Sequence, residues 1–114
     1  MNPDDMMPLI FRQVVLIFEA KSKVEAKVQA VGDRLKFRPE TREKKLDELA
    51  DRIVSSLKTT EAMYEQLKIF LMSHSSGPKP PLKLYVACAK MCDEFLSILA
   101  ATLSNVDDFS KALD

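Results

Sequence analysis

Nucleophilic, redox or metal chemistry in this 114-residue chain falls to Cys88, Cys92 and His74, the chain's two cysteines and its single histidine. Cys88 and Cys92 are four residues apart, so a helix sets them on one face, as some zinc ligands are set. Zinc takes about four ligands, and His74 is the only histidine available to join them. Histidine triads within one chain are therefore excluded, and neither a His-Glu-x-x-His nor a Glu-x-x-His pattern occurs. Free cysteine is among the most buried residue types, and both thiols lie on an apolar stripe, so packing is their expected role. A catalytic histidine needs a positioned partner. None is identifiable here, and the place of His74 at the end of an apolar-periodic segment predicts a capping or solvent-exposed ring. Gly32 and Gly77 are too isolated to cradle a phosphate. No catalytic residue, metal or cofactor is expected.

Phosphate recognition is the second chemistry to weigh. From Lys21 to Lys45 there are nine basic and four acidic residues, whereas from Asp93 onward five are acidic and one is basic. Arg34, Lys36, Arg38, Arg42, Lys44 and Lys45 are the candidate phosphate contacts, since Lys and Arg favour phosphate oxygens. Against that, Phe37 is the only aromatic residue among them, so a platform for stacking bases is missing. The totals of 17 basic and 17 acidic residues cancel, which argues against nucleic acid as a partner. A solvated helix surface, partly paired with the acidic C-terminal tail, is the expected state of these charges.

The elements that hold these residues are legible from apolar spacing. Ile10, Val14, Ile17, Lys21, Val24, Val28, Val31 and Leu35 recur in alternating steps of four and three, the seam of an amphipathic helix. Leu46, Ala50, Ile53, Leu57, Thr60, Tyr64, Leu67 and Leu71 repeat that spacing, as do Tyr85, Cys88, Cys92, Phe95, Leu99, Thr102, Val106, Phe109 and Leu113. Prolines open helices rather than populate their interiors, so Pro39 and the "SHSSGPKPP" run at 73–81 separate the segments. The expectation is an all-α, antiparallel three-helix bundle, up-down-up, with helices at about 8–36, 40–73 and 81–104. Residues 105–114 either extend the third helix or, with Asn105 as an N-cap, form a short fourth. The whole chain, 1–114, forms one domain. The charged hairpin around Lys36 to Glu48 is expected to project beyond the core.

Composition bounds the setting. The longest uncharged stretch, Phe95 to Val106, has twelve residues, short of the roughly twenty a membrane span requires. Asp4 and Asp5 stand where a secretory signal would be basic, and two cysteines are too few for a secreted disulfide scaffold. A cytoplasmic or nuclear protein is expected.

Two features point to function. Lys21 interrupts an otherwise apolar seam. Its stem either lies along a groove with the ammonium in water, or it is a polar seam residue that fixes register. Around it the first helix changes character: Phe11, Val15 and Phe18 form a second stripe, and Leu9 and Leu16 add a third side. That first half needs cover from several directions. The expected function is a non-enzymatic protein–protein interaction module, an oligomerising subunit or adaptor, with a protein partner that can be a second copy of the chain. Leu9, Phe11, Val15, Phe18, Phe95, Ile98, Leu99 and Leu103 are the expected contacts. A phosphate-associated regulator using the basic hairpin ranks second, and a metal or redox site at the cysteine pair last.

Overall fold

The computed structural model describes residues 2–36, 44–76 and 78–114, with only the backbone of Lys36, Lys44 and Lys45. It is all-α: α1 is Pro3–Lys36, α2 Lys44–Ser75 and α3 Leu82–Leu113. Helices of this length are about 50 Å long at 1.5 Å per residue, so each runs nearly the full 55 Å of a molecule 20 by 18 Å across. The expected start of the second helix at 40–43 lies outside the described residues, as does the tip of the hairpin between α1 and α2.

α1 opens earlier than its proline spacing predicts. The Asp5 N–H donates to Asn2 Oδ1 at 3.1 Å and the Asn2 N–H to Asp5 Oδ2 at 3.3 Å, a reciprocal cap. Pro3 then occupies the first helical position, where a missing N–H costs nothing. Pro8 falls inside the helix instead of opening it. The extra turns carry Met6 and Met7 into the core, an apolar gain that offsets the hydrogen bond Pro8 cannot make.

α2 runs unbroken through Thr59 and Thr60. Their hydroxyls donate to the Ser55 carbonyl at 3.1 Å and the Leu57 carbonyl at 2.9 Å, so Thr60 is buried with its polar atom satisfied. At the end of α2 the Ser75 and Ser76 hydroxyls return to the Leu71 and Met72 carbonyls, the second of which also accepts from the Ser76 N–H at 3.0 Å, so these polar side chains are satisfied within their own helix.

α3 continues through Asn105 to Leu113, so the tail is an extension and no fourth helix forms. The reason is cover: Val106, Phe109 and Leu113 bury Leu46, Leu49 and Ile53 of α2. Every apolar seam position from Tyr85 to Leu113, Thr102 included, is buried. The rest of the core gathers Ile10, Val14, Ile17 and Val24 with Met63, Leu67, Phe95 and Leu99. Thr60 and Thr102 occupy the seam between these two clusters, the second donating to the Ile98 carbonyl at 2.7 Å.

Both α1 and α2 pack on α3, and no Cα of α1 comes within 8 Å of a Cα of α2. α3 is therefore the central rod. α1 runs parallel to it: Gln13 donates to Asp93, Lys27 meets Asp107 at 2.7 Å and Arg34 meets Asp114 at 2.5 Å, each pair 80 residues apart. The ladder omits the level of Ala20 and Ala100. No described helix is long and apolar enough to cross a membrane.

Phe95 is fully buried against both neighbours. Phe95→Ala is expected to lower unfolding free energy by about 3–5 kcal/mol, read by urea denaturation; a loss below about 1 kcal/mol would show that α3 is not the central rod. A Cβ added at Gly32, inside α1, would meet nothing within 4 Å. Gly32→Ala is accordingly expected to add about 0.5–1 kcal/mol in the same measurement, and a decrease would contradict the open space there.

Candidate interaction surface

The first half of α1 is apolar in three directions, and α3 buries only one. Ile10, Val14 and Ile17 face the core. Leu9, Phe11, Val15, Leu16 and Phe18 remain 45–54% exposed. The separation of α1 from α2 is the cause, because a helix so far away covers its neighbour only through long side chains. Phe18 makes one such contact, an edge-to-face approach to Tyr64 with ring centroids 6.1 Å apart. Leu16 lies on the opposite flank of α1, in a groove of about 340 Å³ with Ala20, Leu96, Ala100 and Leu103. The two alanines that leave the ion-pair ladder incomplete also leave this groove open.

Lys21 bridges the space between α1 and α2. Its ammonium lies 4.4 Å from the centroid of the Tyr64 ring and 3.0 Å from the Glu25 carboxylate. Its stem is half-buried beside Val24, Leu57 and Leu99. The side chain thus uses its whole length: methylenes along the groove, charge over an aromatic face. A shorter apolar residue would leave the Tyr64 face without this cation.

The remaining expected contacts divide. Phe95 and Leu99 are core residues of the chain's own bundle, at 0% and 1% exposure, so neither is presented to a partner. Ile98 and Leu103 are half-buried against that core. Large apolar side chains are also exposed on the other helices: Val54, Ile69 and Met72 on α2 and Leu82, Leu84 and Val86 on α3, with Met72, whose type suggests gap-filling, at 66%. Met63 is buried and Met91 packs against the core.

The basic residues do not assemble into a described phosphate site. Arg34 donates to the Ser110 carbonyl at 3.2 Å and hydroxyl at 2.9 Å as well as to Asp114. It is committed to the end of α3. Arg38 and Arg42 lie outside the described residues, as do the side chains of Lys36, Lys44 and Lys45. Lys27 and Arg34 pair with the acidic tail as their opposite charges predict.

His74 is neither a helix cap nor a free surface ring. Its Nδ1 is 2.7 Å from the hydroxyl of buried Tyr85, whose ring also meets Phe70 edge-to-face at 5.0 Å. Lys79 meets Asp4 at 2.6 Å and ties the start of α1 to the segment before α3; that hydrogen bond and charge hold the Asp4 carboxyl below its usual range.

Cys88 and Cys92 are free and buried. The hydrogen bond between them, with burial behind it, pushes the Cys88 thiol up; the same bond draws the Cys92 thiol down. Among the described residues no three His, Cys, Asp or Glu side chains come together as a metal-ligand set. The arrangement is that of packed thiols. Cys92 is sealed, whereas Cys88 edges a groove of about 600 Å³ with Ile69, Leu84 and Met91. In the native protein at neutral pH Cys92 is expected to resist a thiol-labelling reagent until denatured, and Cys88, its thiol pushed up, to react slowly, because the thiolate is the nucleophile. Rapid native labelling of either would contradict this packing.

Comparison with protein-family models, with curated proteins and with solved structures returns no match.

Proposed function

We propose that this chain is a non-enzymatic helical protein–protein interaction module that presents the outer face of α1 to a partner. The supporting observation is the exposure of Leu9, Phe11, Val15, Leu16 and Phe18 within a few turns of one helix. Single exposed apolar residues are ordinary, but clusters of large ones mark contact surfaces; Phe11, Val15 and Phe18 form one such flank of α1, and Leu9 and Leu16 form the other. The stripe of Phe11, Val15 and Phe18 has the i, i+4, i+7 spacing by which one helix anchors in the groove of another. Aromatic side chains also contribute disproportionately to interface free energy.

The basic-hairpin alternative draws no comparable support, since Arg34 is already engaged by Ser110 and Asp114. A metal or redox role for the cysteine pair is no better supported, the thiols being buried and lacking further ligands among the described residues.

The test compares affinity capture by the wild-type chain with capture by Phe11→Glu/Phe18→Glu. Both positions are exposed, so the variant is expected to keep its helical circular dichroism. A specific partner, whether a second copy or another protein, is expected with the wild type and absent from the variant. Identical capture by the two would refute the assignment of this surface.

A further inference from the structure

We propose that the partner for this face is a second copy of the same chain, bound with its α1 antiparallel across a two-fold axis at Val15. The inference rests on the interaction-module function above and identifies its partner.

The charge pattern carries it. From Met6 to Ala20 there are only two charged side chains, Arg12 and Glu19. Both are exposed, and neither side chain is in a hydrogen bond or ion pair among the described residues. They are seven residues apart, about 10.5 Å along a helix, and lie on one edge of the apolar stripe. Phe11 and Phe18 have the same separation within the stripe itself. Val15 is the midpoint of both pairs to within about half a residue, by the same helical rise.

A two-fold axis at Val15, perpendicular to both helices, brings Arg12 of each copy to Glu19 of the other and Phe11 of each to Phe18 of the other. Two residues of opposite sign thus make two intermolecular ion pairs, the self-complementary pattern of an isologous interface. Parallel pairing at the same level would set Arg12 against Arg12 and Glu19 against Glu19, which like charges oppose. The stripe supplies an apolar centre and the charges a polar rim, the usual division of an interface.

Sedimentation of the full chain over a concentration series tests this. A monomer–dimer equilibrium is expected for the wild type. Arg12→Glu and Glu19→Arg, which place like charges together twice per dimer, are each expected to weaken association roughly tenfold or more. An equimolar mixture of these two variants is expected to recover it as a heterodimer, and the doubly exchanged chain as a homodimer. Val15→Glu, with its two carboxylates meeting on the axis, is expected to be monomeric with unchanged helicity. A wild type that is monomeric up to its solubility limit overturns the proposal, as does a dimer indifferent to Val15→Glu or to the charge exchanges. Either failure concerns the second copy alone: loss of a different partner by Phe11→Glu/Phe18→Glu would still uphold the module and assign it a heterologous partner.

Discussion

One helix serves as the core for two others whose backbones stay apart. α3 lies between α1 and α2 with its entire seam from Tyr85 to Leu113 buried, while no α1 Cα approaches an α2 Cα within 8 Å. A rod covers only the face turned towards it, so each outer helix is buried along one stripe. α2 fits that limit for most of its length because its outward face is largely charged. The first half of α1 does not, and five large apolar side chains remain at its flanks. The exposed surface is therefore a consequence of how many neighbours α1 has.

Polar side chains trim this arrangement more than they hold it together. The Lys27–Asp107 and Arg34–Asp114 pairs are partly exposed, and such pairs contribute about 0–1 kcal/mol each. Their common separation of 80 residues nonetheless reports a constant parallel register of α1 on α3. That register is set by burial, since a shift along the helix would move Ile10 and Ile17 out of the core. Polar groups inside the seam are satisfied locally: Thr60 and Thr102 return their hydroxyls to their own helices, and the Tyr85 hydroxyl is met by His74. Lys21 follows the same rule, its charge placed over the Tyr64 ring and beside Glu25.

Much of this architecture is legible in the order of the residues. The spacing of Ile10, Val14 and Ile17, and of Phe95, Leu99 and Val106, marks core faces because 3.6 residues per turn brings such positions to one side. The narrow polar stripe of the third segment suggests a helix covered on most sides, whereas α3 is buried along its seam and leaves Leu82, Leu84 and Val86 exposed, because only two helices pack against it. The cysteines follow from the same stripe. The start of α1 is not legible in this way, because Asn2 and Asp5 cap each other reciprocally only once Met6 and Met7 have a core to enter. The position of His74 near a helix end points to a cap, whereas its partner Tyr85 comes from the next helix, eleven residues on and past a turn.

Three amphipathic rods, their order and the residues each turns inward follow from the chain alone, since periodicity is a local property. Periodicity does not separate an apolar residue that fills the bundle's core from one left at its surface. Ile98 and Phe18 both lie beside a seam, yet the first packs against the core and the second is half-exposed. Tertiary packing makes the choice between them, because burial depends on the distance between α1 and α2, a quantity fixed by how both helices pack against a third.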